Sequence, residues 1–320
     1  MRLDLVDKKI LCELDLNCRT SISRIAKKLR ISRDVAGYRI KGLEKEGVIS
    51  KYITAVNLGM LGYQTRKIYF RIWSGQEEEK EFVSFLVNHK QTISVLKTEG
   101  SFDYSVAIAV KNIHELEEFL MKVRNDFKSL VKDYTVSIVV YSRIFKLNKL
   151  LLHPKYSELK VEKYEGESKD IEMDDKDVTI LKVLSQNANM SLVDLSKKTK
   201  LSLDVVKYRV RHFDKNFLLS HRIMLDFEKI GYYQYVIMLR IRQATYKDEN
   251  MLAEWCHQKN NVLFFNKRIA VYDFEINVAI TNLKELTDFI TELKQRFGGM
   301  ISSYDTMLKS KLLKLNYVPF

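Results

Sequence analysis

Between Ser21 and Tyr52 the apolar positions recur with a helical period. Ile22, Ile25, Ala26 and Leu29 share one face of a short helix that Ser21 is placed to cap. Arg30, Ile31 and Ser32 interrupt the pattern. A second helix then runs from Ser32 to about Glu46 and presents Val35, Ile40 and Leu43 inward, and Gly47 ends it by accepting left-handed backbone. Val48-Ile49 and Tyr52-Ile53 predict a short β-wing. Upstream, Leu3 to Leu16 places Ile10, Leu11 and Leu14 on one face and supplies the third helix of a core. Helix, tight turn, helix and wing are the parts of a winged helix-turn-helix.

From Gly62 the period falls to two. Ile68, Phe70 and Ile72 alternate with Lys67, Tyr69 and Arg71, the signature of a half-buried strand. Phe82, Phe85, Leu86 and His89 return to helical spacing. Thr92–Lys97 reads as a strand, 100–103 as a turn, and Tyr104, Val106, Ile108 and Val110 as the next strand. Leu116, Phe119, Leu120, Val123 and Phe127 mark a helix capped by Asn112, and Tyr134 to Phe145 closes with a strand. The order βαββαβ predicts a ferredoxin-like (RAM/ACT-like) sheet with both helices on one face. Its other face needs a cover, for which pairing with a second sheet is the ordinary solution.

Shifted by about 170 positions, the chain lies over itself. Asp7 and Ile10-Leu11 meet Asp177 and Ile180-Leu181, and Ser21 and Ser32 meet Ser191 and Ser202. Tyr38-Arg39-Ile40 meets Tyr208-Arg209-Val210, Asp103 meets Asp273, and Phe119 meets Phe289. A period this long implies a duplicated two-domain module, not a solenoid. The fold class expected is therefore α+β, two copies of a winged helix-turn-helix followed by a ferredoxin-like domain. The divisions are 1–58 and 174–228 for the two heads, 60–147 and 229–320 for the two sheets, and 148–173, charged and carrying Pro154 and Gly166, for a tether.

Charge then narrows the partner. The formal net charge is +13 over 320 residues, with a pI near 9.4, which favours an anionic partner without choosing between nucleic acid and membrane. The first helix pair concentrates this charge. Arg19, Arg24, Lys27, Lys28, Arg30, Arg33, Arg39, Lys41, Lys45 and Lys51 face only Asp34, Glu44 and Glu46. The second pair keeps the sign, with Lys197, Lys198, Lys200, Lys207, Arg209, Arg211, Lys215 and Arg222 against Asp204 and Asp214. Such basic units suit a phosphate backbone. No apolar run approaches a membrane span, the N-terminus has no signal-peptide core, and three sparse cysteines fit a reducing compartment. The expected location is the cytoplasm.

The helices that start at Ser32 and Ser202 are the candidates for major-groove entry. Arg33, Asp34, Tyr38 and Lys41, with Lys207, Tyr208 and Arg211 in the second copy, lie outward and are candidates for base readout. Lys51 and Arg222, in the wings, are candidates for phosphate contact. Arg39 and Arg209 either contact DNA or pair with an acid of their own domain. The copies differ at outward positions, so two heads on one chain would read an asymmetric site.

The opening Leu5-x-Asp7-x-x-Ile10-Leu11, Asn17-x-Arg19, Ser32-x-x-Val35-x-x-Arg39-Ile40-x-x-Leu43, Gly47-Val48-Ile49, Gly62-Tyr63 and Gly100-x-x-Asp103-Tyr104 resemble the Lrp/AsnC family of transcription regulators, in a tandem archaeal-type form. The resemblance covers about 3–145 and, more weakly, 174–316. In the second copy Asn189 stands for Arg19, Phe217 for Gly47 and Ala270 for Gly100. The resemblance implies sequence-specific binding to double-stranded DNA, sheets paired within the chain or between chains, and a small effector such as an amino acid. It places that effector near Glu99, Gly100, Ser101 and Asp103, with Asp273 in the second copy. Read without the resemblance, Gly100 makes a turn and Asp103 caps it. No cofactor, metal or catalytic residue is expected. Siroheme decarboxylase subunits resemble the same family, but they carry a histidine near the turn between the second and third sheet strands, where this chain has none. An enzyme of that kind and a non-specific architectural DNA-binding protein are the alternatives.

Overall fold

The computed structural model describes residues 2–73, 75–152, 161–165 and 171–320; Pro154 and Gly166 of the expected tether lie outside these. The first head is built of α1 (Leu5–Leu16), α2 (Ile22–Leu29) and α3 (Arg33–Lys45), followed by β1 (Ile49–Val56). Ile10, Leu11, Leu14, Ile25, Ile40 and Leu43 close its core. The inward residue at the start of α3 is Ala36, fully buried, whereas Val35 is 43% exposed. The expectation for Val35 was therefore one position out of phase: a methyl group suffices where α3 approaches its neighbours, and the larger valine faces solvent. The second head repeats the plan in α7 (Asp175–Gln186), α8 (Leu192–Thr199), α9 (Leu203–Asn216) and β7 (Leu218–Leu225).

The expected wings are not hairpins. Each head contributes one strand, and β1 pairs antiparallel with β7 of the other copy, from Ile49 opposite Leu225 to Val56 opposite Leu218. No two-residue turn of the hairpin-forming kind lies in either segment, so each strand finds its partner in the repeat. The result is a two-stranded ribbon that joins the heads.

The ferredoxin-like copies are β2 (Gln64–Ile72), α4 (Gln76–Asn88), β3 (Thr92–Gly100), β4 (Tyr104–Val110), α5 (Ile113–Asp126) and β5 (Val131–Phe145), then β8 (Tyr233–Ile241), α10 (Tyr246–Gln258), β9 (Val262–Ile269), β10 (Phe274–Ile280), α11 (Leu283–Phe297) and β11 (Ile301–Leu315). Between the copies lie α6 (Asn148–Leu151) and β6 (Val161–Glu165), which pairs with β5. The long strands β5 and β11 join the copies. The first half of β5 pairs with β2 of its own sheet and the second half with β9 of the other. In the same way β11 pairs with β8 and then with β3. The hydrogen-bonded order β2-β4-β3-β11-β8-β10-β9-β5 closes on itself through the β2–β5 pairing. Closure leaves none of these eight strands as an unpaired edge.

The two faces of this ring differ in chemistry. The outer face packs on the helices through Ile68, Phe70, Tyr104, Val106 and Ile108 in the first copy and Ile237, Leu239, Phe274, Ile276 and Val278 in the second. The alternate positions form the inner face, and the cover that this face requires is the sheet of the other copy. Tyr69, Ser105, Glu275 and Asn277 are all at most 3% exposed. Each sheet thus covers the open face of the other.

Candidate nucleic-acid interface

Both recognition helices begin at a serine cap. The Ser32 hydroxyl accepts the Val35 amide at 3.1 Å and Ser202 accepts that of Val205 at 3.4 Å, so both are positioning residues whose oxygens satisfy first-turn amides. Past the caps, Arg33, Asp34 and Lys41 of α3 and Lys207 and Arg211 of α9 are exposed. Tyr38 is 81% exposed and Tyr208 72%. Two large aromatic rings standing in solvent at the same helical position of each copy are costly to hydrate and well placed to lie against a partner. Val35 and Leu203, each 43% exposed, add apolar surface that suits a thymine methyl; their exposed position on α3 and α9 extends the outward face beyond the polar residues.

Arg39 and Arg209 resolve toward structure. Arg39 bonds the carboxylates of Asp4 and Asp7, the latter at 2.9 Å, and Arg209 reaches Asp174 at 2.7 Å and also Asp177. Each arginine ties its recognition helix to the capping box that opens the first helix of its head. The Asp7 amide and then the Arg39 guanidinium hold the Asp4 carboxyl below its ordinary range.

Two expected phosphate contacts are corrected. The Lys51 ammonium donates to the Leu315 carbonyl at 3.0 Å. Arg222 pairs at 2.7 Å with Asp15, a carboxylate 1% exposed that also accepts the Leu147 amide at 2.8 Å. Both side chains lie on the inter-copy ribbon, not on a free wing, and hold layers of the protein together. The turn between the paired helices carries other cations. Arg30 (φ 57°) and Lys200 (φ 58°) both take left-handed backbone, where a glycine would be at ease, and both are exposed.

The turn expected to hold an effector is occupied by the protein. Gly100 has φ +125° and a Cβ there would lie 2.6 Å from the Thr306 carbonyl oxygen, so glycine permits β11 of the other copy to pass. Glu99 lies opposite Leu308 in that pairing. Ser101 donates to Asp305 at 3.1 Å. Asp103 accepts the Ile72 amide at 2.8 Å, and Asp273 does the same for Ile241 at 2.7 Å. The cysteines are buried and unpaired, and burial pushes the Cys12 and Cys18 thiols up to about 12, which suits packing and not nucleophilic chemistry.

The winged helix-turn-helix DNA-binding family matches residues 3–50 and again 173–216. The HTH-type transcriptional regulator FL11 of Pyrococcus furiosus is 34% identical over 119 residues, which span 37% of this chain and 78% of that protein. The chain belongs to the Lrp/AsnC family of transcription regulators. A second HTH-type regulator of Pyrococcus furiosus is 27% identical to this family member over 141 residues, 43% of this chain and 91% of that one. The likeness to each relative thus accounts for less than half of the tandem regulator. Over its whole length the tandem regulator shares its fold with the siroheme decarboxylase NirDL, solved in co-complex with an iron-uroporphyrin III analogue: TM-score 0.64, 13% identity, covering 98% of this chain and 94% of that one. The same protein without the analogue gives a TM-score of 0.62. Among the described residues no helix is long and apolar enough to cross a membrane.

Proposed function

We propose that this regulator binds one asymmetric site on double-stranded DNA as a single-chain pseudo-dimer, α3 and α9 each entering a major groove, and that it is not an enzyme. The observation that carries the reading is the pair of capped recognition helices, each exposing a tyrosine and basic side chains, on heads joined by the β1–β7 ribbon. Arg33, Asp34, Tyr38 and Lys41 read one half-site; Lys207, Tyr208 and Arg211 read the other. Arg30, Lys27, Lys28 and Lys197, Lys198, Lys200 meet phosphates. Because the outward residues differ between α3 and α9, the half-sites differ in sequence. Heads at 1–58 and 174–228, sheet units at 60–147 and 229–320, and a cytoplasmic location belong to the same reading.

Selection from random-sequence DNA, followed by binding at several salt concentrations, tests it. Enriched asymmetric sites with a log–log salt slope of several units are expected. Identical half-sites overturn the asymmetric reading, and absence of binding at low salt overturns the DNA reading. The full-length likeness to NirDL favours one second reading, an enzyme acting on a tetrapyrrole. The turns at 96–102 and 266–270 carry no histidine, and turnover of an added siroheme would establish that reading instead.

A further inference from the structure

The interior of the ring contains a charged cluster that the DNA reading does not use. Glu275, 2% exposed, accepts the Lys67 ammonium at 2.8 Å, the Tyr69 hydroxyl at 2.8 Å and the Asn277 amide at 3.0 Å. Arg268, 6% exposed, pairs with the same carboxylate at 2.6 Å. Burial alone would raise the Glu275 carboxyl, but the Arg268 and Lys67 charges overcome it and hold the group well below the usual range. A third cation, Lys309, projects nearby. Its ammonium stands over the Phe264 ring, 5.5 Å from the centroid, and has no hydrogen-bonding partner among the described residues. Burial first, then the charge of Lys67, pulls it down to about 8. Three cations therefore surround one carboxylate, an excess of two positive charges within this cluster; Arg222, Lys311, Asp226 and Glu228 also line the space beside it.

Buried charge in excess is expensive unless something neutralises it. The donors here are also under-used. The Arg268 Nε and Nη1 atoms and the hydroxyls of Ser105 and Ser137 are buried without a partner, whereas native interiors pair nearly all such atoms. Beside them lies a cavity of about 780 Å³ lined by Lys67, Lys309, Glu275, Ser105, Asn266 and Phe264, among others. A second cavity of about 190 Å³ shares Lys67 with it and is lined by Arg268. This volume falls in the range of small-molecule sites, and the mixture of apolar walls with a few convergent polar groups is typical of them.

The duplication shows that the cluster is a built feature. Counted through the repeat, Lys67 corresponds to Val236, Thr98 to Arg268, Ser105 to Glu275, Ala107 to Asn277, Leu96 to Asn266 and Val139 to Lys309. Each ionic member is present in one copy and replaced by an uncharged residue in the other. A symmetric pairing would carry each of these residues twice; here one anion and three cations converge.

We propose that this cavity is a binding site for an organic molecule carrying two or more carboxylates. Lys309 takes one charged end, the unpartnered Arg268 donors at the adjoining smaller cavity take another, and the Phe264 wall, common to both cavities, takes its carbon skeleton. The site is distinct from the Gly100–Asp103 turn. Its roof includes Ile53 and Ala55 of β1 and Ile223 and Met224 of β7, the strands that leave the two recognition helices. On the DNA reading above, an occupant is thereby in contact with the ribbon that sets the heads, but binding itself is measurable without DNA.

The full chain is titrated without DNA by calorimetry and thermal shift at pH 7. The probes are succinate, 2-oxoglutarate, glutamate, citrate and an iron-uroporphyrin, with glutamine, leucine and inorganic phosphate as controls. The expected result is one-to-one binding of at least one polycarboxylate and none of the neutral amino acids. Response to the small acids or to the iron-uroporphyrin alone identifies the source, and both keep the carboxylate chemistry. Lys309→Met is expected to raise the melting temperature of the unliganded protein and to weaken the bound polycarboxylate at least tenfold, with Lys309→Arg restoring affinity. Lys309→Gln is the fallback if the methionine variant fails to fold. The proposal is overturned if no polycarboxylate binds, if phosphate binds as tightly as any of them, or if Lys309→Met and Lys309→Gln bind unchanged. None of these outcomes depends on whether the protein binds DNA.

Discussion

Replacing Glu275 by alanine removes the anion that pairs with Lys67 and Arg268. The carboxylate makes four contacts at 2.6–3.0 Å, and its partner Arg268 is buried too. Breaking a buried ion pair from one side costs about 3–5 kcal/mol, because the remaining charge stays desolvated and unpaired. The upper end is expected here, since two cations lose their counter-charge and the Tyr69 hydroxyl loses its acceptor. The pH dependence identifies the cause. Lys67 is already drawn below its ordinary value by burial, against the opposing pull of Glu275, and Lys309 to about 8. Without Glu275 both give up their protons more readily, while the unfolded chain keeps its lysines charged to about pH 10. The unfolded state then binds more protons than the folded one, so stability rises with pH and the deficit of the variant shrinks between pH 8 and pH 10. Urea unfolding followed by circular dichroism at pH 7 and pH 10, on both proteins, measures the difference directly. A deficit below about 1 kcal/mol at pH 7, or one that does not shrink at pH 10, would refute the reasoning.

Lys41→Ala and Arg211→Ala are each expected to cost about 1–3 kcal/mol in DNA binding and to relax sequence preference at one half-site only, read by competition with half-site mutants. Lys51→Ala, by contrast, leaves the salt slope of DNA binding unchanged, because its ammonium is engaged with the Leu315 carbonyl. Arg30→Gly relieves left-handed backbone and is expected to stabilise the first head by up to about 1 kcal/mol in urea unfolding, while lowering the salt slope by about one unit if Arg30 meets a phosphate. Chains 1–147 and 171–320, co-expressed, are expected to assemble with each other and not with themselves. Native mass spectrometry showing homodimers in equal abundance would contradict this.

The helices and their order were legible because each head buries one stripe of a 3.6-residue period and because the stripe occurs twice. The strands were legible for the same reason at period two. What covers the second face of a strand is a tertiary fact that the period does not contain. That a second sheet would cover it was expected, but not which residues of the two copies meet there, such as Lys67 and Glu275. Lys51 and Arg222 read as wing cations because helix, turn and helix are usually followed by a hairpin. Their strands instead meet across the repeat, which turns both side chains into internal ties. The misplacement of Val35 by one position is of another kind. The buried Ala36 shows that the helix approaches closely there, and periodicity among large apolar residues cannot detect a site that is filled by a methyl group.

The duplication explains how a symmetric architecture comes to hold an asymmetric interior. In a dimer of identical chains every substitution appears twice across the dyad, so an inward lysine creates two lysines and no partner. With both copies on one chain, Lys67 arises in the first and Glu275 and Arg268 in the second, and the charges meet across the interface. The same asymmetry opposes the wrong assembly. Two first copies paired together would enclose two Lys67 side chains and no Glu275, and two second copies would carry Glu275, Arg268 and Lys309 twice and no Lys67. The charged cluster thus does for the sheets what differing residues on α3 and α9 do for the heads: it makes the halves non-equivalent and fixes which half meets which.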